Sequence, residues 1–325
     1  MLVLNLLEAV TNALDVAMAN DANVVVFGED VGVEGGVFRA TKGLQEKYGE
    51  ARCFDSILAE SSIIGSGIGM AINGLKPVVE IQFSGFMFPG YNQIVTHAAR
   101  MRNRSRGLFT VPMVIRMPYG GGVRALEHHS ESLEVLFAHT AGLKVVVPST
   151  PYDAKGLLLA AIADPDPVIF MEPKREYRAF KQEVPEEYYT IPIGKAKVLK
   201  EGKDITVVAW GAMVRETQKA IKILEEQDYS IELIDLRTIS PIDKETIISS
   251  VQKTGRFAVV HEAATSYGPG AELITVVNEG AFLYLEAPPK RISSNDTIVP
   301  LPKGEHHYVP EVDYIVAELK TVLEF

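Results

Sequence analysis

The 325-residue sequence contains one cysteine, Cys53, which rules out an intrachain disulfide and a thiolate metal cage. No apolar run approaches the roughly 18 residues that a membrane span requires, and there is no low-complexity tract or short-period repeat. Excess positive charge is missing as well: 32 Lys and Arg against 42 Asp and Glu leave a formal charge of −10, the reverse of a polyanion-binding surface. The one basic run, Arg100, Arg102, Arg104 and Arg106, reads as a solvated face or a partner contact rather than a nucleic-acid site. An early cationic segment is also absent, since Glu8 and Asp15 interrupt an amphipathic pattern. These absences predict a soluble, cytoplasmic protein, mitochondrial only if a transit peptide has been removed, with no membrane or nucleic acid among its partners.

What is present fits two α/β domains. Asn5 with Glu8 reads as a capping box, and Leu7, Val10, Leu14 and Ala17 follow at helical spacing. Short β-branched runs at 23–27, 77–81, 111–116, 143–147 and 167–171 read as buried strands, and their alternation with helical stretches predicts a parallel sheet covered on both faces. Thr150-Pro-Tyr-Asp153 and Ser240-Pro-Ile-Asp243 each read as a cap, a first-turn proline and an N3 carboxylate. Between residues 183 and 204 periodicity weakens, which predicts domains at 1–182 and 205–325 joined by a connecting segment. The second domain is expected to alternate strands at 205–210, 230–235 and 256–261 with helices, and to end on a helix from Val312.

The most informative segment is Ile57-Leu-Ala-Glu60-Ser-Ser-Ile-Ile-Gly65-Ser-Gly67-Ile-Gly69. It places a carboxylate at a helix start and then three glycines, each costing about 1 kcal/mol relative to alanine, so close packing against another backbone is expected to offset them. By itself Glu60 reads first as a carboxylate favoured by the helix dipole. In an apolar pocket it could instead share a proton with a ring nitrogen. Downstream, Pro118-Tyr-Gly-Gly-Gly122 leads into Glu127-His128-His129-Ser130, a glycine loop that is either mobile or tightly approached. Adjacent histidines point in different directions, which disfavours one metal held by both.

The stretches GEDVGVEGGVFRAT, SILAESSIIGSGIGMAINGLKPVVEIQF, FPGYNQIV, HHSES, GLKVVVPSTPYDAKGLL, TIPIGKAKV, LRTISPID and LEAPPKRI occur in one order along the chain. In these the chain resembles, almost end to end, the β subunits of the decarboxylating first component of 2-oxo acid dehydrogenase complexes, a branch of the transketolase-like thiamine diphosphate enzymes. The resemblance implies a pyrimidine-binding α/β domain followed by a smaller transketolase C-terminal-like domain. It places Glu60 where the family hydrogen-bonds the aminopyrimidine ring of the cofactor, favouring the tautomer that takes the thiazolium proton. Phe86, otherwise a plausible core aromatic, falls where the family stacks a ring on the pyrimidine, and Leu58 and Gln82 fall in the same cofactor-binding stretches. His129, directly before serine, matches the residue that handles substrate or intermediate, a role suited to a side chain that changes charge near neutrality. Ala161, Ile162, Asp164 and Asp166 match a potassium site of some members, although Asp-Pro-Asp-Pro is also a sufficient helix-ending turn.

The Gly-Asp-Gly and downstream asparagine that anchor magnesium diphosphate are absent, and Gly28-Glu29-Asp30 is a poor substitute. The resemblance then implies that an α subunit holds Mg2+ and the diphosphate, in a heterotetramer of two α and two β chains. It also implies a lipoyl-bearing acyltransferase core as acceptor, docking near the C-terminal end. VVEIQF, EPKREYR, VAWG and VVHEA lean towards branched-chain 2-oxo acids, with pyruvate second and acetoin third. Two rivals stand beside this reading. A nicotinamide enzyme fails on glycine spacing, because the glycines lie inside the helical run rather than opening it. A noncatalytic scaffold of the same fold is countered by the presence of Glu60, Phe86 and His129.

Overall fold

The computed structural model describes residues 1–325. The first half of the chain runs β1 (Leu2–Leu4), α1 (Leu6–Asn20), β2 (Val24–Gly28), α2 (Leu44–Tyr48), β3 (Cys53–Asp55), α3 (Glu60–Ile72) and β4 (Lys76–Glu80). It continues through α4 (Phe88–Asn92), α5 (Met101–Arg104), β5 (Val114–Tyr119), α6 (Glu134–Ala138), β6 (Lys144–Val146), α7 (Pro151–Ala163), β7 (Val168–Pro173) and β8 (Gln182–Val184). The second half runs β9 (Lys197–Lys200), β10 (Ile205–Ala209), α8 (Ala212–Glu225), β11 (Ile231–Asp235) and β12 (Thr238–Ser240). It ends with α9 (Lys244–Thr254), β13 (Phe257–Ala264), α10 (Pro269–Ala281), β14 (Lys290–Ser294) and α11 (Val312–Leu323).

The larger sheet has the order β12-β6-β7-β5-β4-β2-β3 and is parallel except for β12, which pairs antiparallel with β6. Its strands are buried on both faces because successive side chains alternate between two cores. Val24, Val26, Val78, Val114 and Val168 point to a core shared with α1 and α7. Phe27, Val79, Ile115, Ile169 and Met171 point to the opposite core, which α3 enters through Ile63, Ile64 and Ile68. That second core continues without a break into Val208, Ile234 and Val259 of the smaller sheet, ordered β14-β13-β10-β11-β9, into Trp210 just after β10 and into Leu273 of α10. The two sheets therefore share one apolar seam.

The capping box at Asn5 and Glu8 is formed, with both reciprocal bonds at 2.8 and 2.9 Å. Thr150 caps α7 by accepting from the Asp153 amide at 3.1 Å. The second expected cap is corrected: Ser240 lies in the extended strand β12, and α9 starts four residues later under Asp243, which accepts from the Thr246 amide and hydroxyl and from the Ala196 amide. An extended residue committed to a strand ladder cannot also supply the oxygen for a helix N-terminus. The connecting stretch also carries more structure than its composition suggests. Val184 closes a ladder with the N-terminal β1, and β9 forms the edge of the smaller sheet. No helix is long and apolar enough to cross a membrane.

Charged groups are buried along the seam. Trp210 Nε1 donates to Glu134 Oε1 at 3.2 Å, and Arg215 donates to Glu176 at 2.8 Å. Glu134 is fully buried, and burial raises its carboxyl from the ordinary 4.5 to about 7. Across that interval the folded chain keeps a proton that the unfolded chain has lost, so this group lowers stability as pH rises from 4.5 to about 7. Glu134→Gln removes the term while keeping an oxygen for Trp210. Its melting temperature relative to the unsubstituted chain should therefore improve between pH 5 and pH 8, as read by calorimetry; a pH-independent difference would show that Glu134 does not carry the proton.

Candidate active site

Four segments that follow parallel strands meet at the carboxyl edge of the larger sheet, where open α/β sheets place ligands. Glu60 is the first residue of α3, behind an extended Ala59 that offers no side-chain cap. Glu60 is half-buried in a first turn whose amides have no side-chain cap, which favours a negative charge there, with Ile57 and Leu58 exposed just before it. Glu29, at the end of β2, lies within the field of Glu60. Burial, then Asp30 and Glu60, push the Glu29 carboxyl above its usual range.

Phe86 sits on a 3-10 turn, Ser84–Met87, that follows β4, and Gln82 is half-buried just ahead of it. The next turn, α4, is pressed against α3: a Cβ on Gly90 would lie 3.1 Å from the Glu60 carbonyl oxygen. This contact sets the Phe86 segment beside the helix start that carries Glu60. His129 arrives from β5 on a 3-10 turn, Glu127–His129. Its ring packs edge-on against Phe83 at 4.4 Å and Phe86 at 5.0 Å between centroids, and Nδ1 is buried with no partner. An orphaned ring nitrogen against an aromatic wall is available to a ligand, since buried polar atoms are otherwise satisfied. His128 turns the other way, is exposed, and approaches Glu131 at 3.3 Å.

Beneath the site the strands carry a buried ion cluster. Arg116 donates Nε and Nη2 to Glu172 at 2.6 and 3.0 Å and Nη1 to Glu80 at 2.8 Å, and the Tyr177 hydroxyl donates to Glu172 at 2.6 Å. Burial opposes the guanidinium charge, but Glu172 and Glu80 outweigh it and hold the Arg116 pKa above its ordinary value. Tyr177 in turn packs on Phe38, and Phe38 on Phe83, which links the cluster to the wall around His129.

Glu60, Phe86 and His129 are thus on adjoining segments, with Gln82 beside them and Leu58 at the exposed rim. Sequence reasoning missed Phe83, although it lies within the same Ile-Gln-Phe-Ser-Gly-Phe stretch as Phe86. The carboxylates of the potassium set already have cationic partners. Asp164 is bound through both oxygens by Lys144 Nζ at 2.6 Å, and Asp166 by Arg102 Nε at 2.6 Å. The Ala161 carbonyl accepts the Asp164 amide in the last turn of α7, near the buried Ile162. One ammonium and one guanidinium already neutralise both carboxylates, so Asp-Pro-Asp-Pro acts as a salt-bridged helix stop. Arg102 is thereby explained, while Arg100, Arg104 and Arg106 stay exposed.

Residues 3–179 match the transketolase pyrimidine-binding domain, and residues 194–315 match the transketolase C-terminal domain. The chain is 67% identical over 320 residues to the pyruvate dehydrogenase E1 component subunit beta of Acholeplasma laidlawii, covering 98% of both chains. The chain belongs to this transketolase-like family of E1 β subunits. It is also 57% identical to the subunit of that name from Mycoplasma genitalium, over 93% of each chain, and 51% identical to that from Bacillus subtilis, over 99% of each. A solved split-gene transketolase, an inactive β4 tetramer, shares the fold with a TM-score of 0.79 at 22% identity, covering 99% of this chain and 98% of that one. These family names run against the branched-chain lean drawn from VVEIQF and its companions: short strand and turn motifs report the shared scaffold and not the acyl pocket.

The family's glycine-rich helix carries a stability signature. A Cβ on Gly67 would lie 2.6 Å from Met113 and 3.1 Å from Val79, whereas one on Gly69 would meet nothing within 4 Å. None of the three glycines meets another backbone within this chain; Gly67 alone is closely approached, and by the Met113 and Val79 side chains. Gly69→Ala should stabilise the isolated chain by about 1 kcal/mol from helix propensity, and Gly67→Ala should destabilise it. Urea unfolding of the two variants checks this, and an equal effect of both would contradict the packing difference.

Proposed function

We propose that this chain is the β subunit of a thiamine diphosphate-dependent pyruvate dehydrogenase, with half of each active site on its own surface and half on an α subunit. The observation that carries the reading is the meeting of Glu60, Phe86 and the unpartnered His129 nitrogen at one sheet edge, in a chain with pyruvate dehydrogenase β relatives along its full length. Identity of 67% across 98% of a pyruvate dehydrogenase subunit favours pyruvate over a branched-chain acid.

The residues present fit the pyrimidine end of the cofactor: a carboxylate at a helix start, an aromatic face and a buried free nitrogen. Bound there, the cofactor would supply the electron sink for loss of carbon dioxide from a 2-oxo acid. Glu60 would hold a proton against a pyrimidine nitrogen. Phe86 and Phe83 would present an apolar wall that keeps water from the ring and raises the strength of that hydrogen bond. His129, fixed edge-on against both phenyl rings, would move a proton at the reacting carbon. Mg2+ and the diphosphate would be held by the α subunit, since this chain lacks a Gly-Asp-Gly with its downstream asparagine. Exposed apolar side chains around the site, Ile57, Leu58, Phe88, Val123 and Leu126, offer a face for that partner. A lipoyl acyltransferase would then accept the acyl group.

In a reconstituted α/β complex, Glu60→Gln should lower pyruvate decarboxylation at least about a hundredfold, since the amide cannot pass a proton to the ring nitrogen. Turnover within a few-fold of the parent would favour a scaffold role. Calorimetry on the isolated chain should detect no tight binding of magnesium thiamine diphosphate, and micromolar binding without a partner would refute the shared-site arrangement. A panel of 2-oxo acids offered to the complex should be led by pyruvate, and faster turnover of branched-chain acids would reverse the substrate assignment.

A further inference from the structure

The three glycines before His129 are each demanded by a close approach from elsewhere in the fold. Gly120 and Gly122 have φ of +83° and +87°. A Cβ on Gly120 would lie 2.6 Å from Glu262 Oε2 and one on Gly121 2.7 Å from Val309 Cγ2, while one on Gly122 would collide with Arg175. The loop is therefore gripped.

The grip comes from two carboxylates of the second half of the chain. Glu262, on β13, accepts the Gly121 amide through Oε2 at 2.8 Å. Glu305, on the 3-10 turn Glu305–His307, accepts the Gly122 amide through Oε1 at 2.9 Å and the Arg124 amide through Oε2 at 2.7 Å. Lys174 Nζ donates to the Gly120 carbonyl, and the base of the loop is closed by the Gly120 amide on the Glu131 carbonyl at 3.1 Å. Both carboxylates are buried, at 4% and 3% exposure, and neither forms a salt bridge, so the loop amides are their main partners. A buried carboxylate is costly unless its acceptors are filled. Directional bonds to three amides fix the loop far more tightly than apolar contact would.

We propose that Glu262 and Glu305 are positioning residues for His129: the smaller domain sets where the imidazole stands by holding the backbone of residues 121–124. This rests on the reading above, in which His129 faces the reacting carbon. Loss of the Glu305 bonds lets the loop shift, and the ring leaves the edge of Phe83 and Phe86.

The test uses the assembled α/β complex with cofactor bound and reads amide hydrogen exchange at residues 121, 122 and 124 beside turnover. Glu305→Ala should speed exchange at 122 and 124 by roughly tenfold or more while leaving 121, held by Glu262, protected. It should lower kcat by roughly tenfold to a hundredfold, the scale of a misplaced catalytic group, with unchanged cofactor affinity. Glu305→Gln, which keeps one acceptor, should recover part of both. In a His129→Ala background, Glu305→Ala should remove no further turnover. Unchanged exchange at 122 and 124, or an equal kcat loss with and without the imidazole, would overturn the proposal. Full turnover in His129→Ala alone would instead defeat the reading of that histidine, and the exchange pattern would still decide whether the carboxylates hold the loop. If Glu305→Ala fails to assemble, Glu305→Gln carries the same comparison.

Discussion

Two-sided burial of the larger sheet is the constraint on which the other features depend. Its strands carry apolar side chains in both directions, so each face must be covered, and two different coverings are used. Helices α1 and α7 close one face from the same half of the chain. The other face is closed partly by α3 and partly by residues of the second half, among them Val259 of β13, Trp210 just after β10 and Leu273 of α10. The connections between strands are thereby expelled to the sheet ends. The carboxyl end, where amides and helix starts point outward, becomes the one place where Glu60, Phe86 and His129 can meet.

Sequence reasoning captured features whose causes are local. The capping box at Asn5, the proline-led α7 and the buried β-branched strands each depend on a few neighbouring residues, and each is present. The start of α9 was misplaced because Ser240 has a competing engagement, a strand ladder to residues almost a hundred positions earlier, which no local pattern reveals. Glu60 was legible as a helix-start carboxylate, and its chemical role entered only through the resemblance. The salt bridges of the acidic turn at Asp164 and Asp166 were illegible for a similar reason: its partners Lys144 and Arg102 lie 20 and 64 residues away. Carboxylates look alike in sequence whether they await a cation or already hold one.

The buried charges sort by what they touch. Arg116 with Glu80 and Glu172 satisfies itself inside one sheet, and its effect on the site passes through Tyr177, Phe38 and Phe83. Glu134 reaches across the seam to Trp210 and leaves its second oxygen unpartnered, and its burial is what holds the carboxyl above its ordinary range. Glu262 and Glu305 reach across the same seam and spend their oxygens on backbone amides. Of these groups, they alone bind directly to the main chain of a loop that carries a site residue.

Such an arrangement is poor as a source of stability and well suited to fixing geometry. Burying a carboxylate opposite amides recovers little net free energy, because the desolvation cost is close to the gain. Apolar packing of the same volume would stabilise as well, yet it would let the loop slide, since dispersion varies weakly with small displacements. A hydrogen bond weakens steeply once its angle is lost. Three such bonds to the amides of residues 121, 122 and 124, from a domain already locked against the sheet by a shared apolar core, leave the 121–124 backbone little freedom. Gly120 and Gly121 follow from this, because a side chain there would occupy the space through which Glu262 and Val309 of the other domain reach the loop, whereas Gly122 makes room for Arg175 of its own domain.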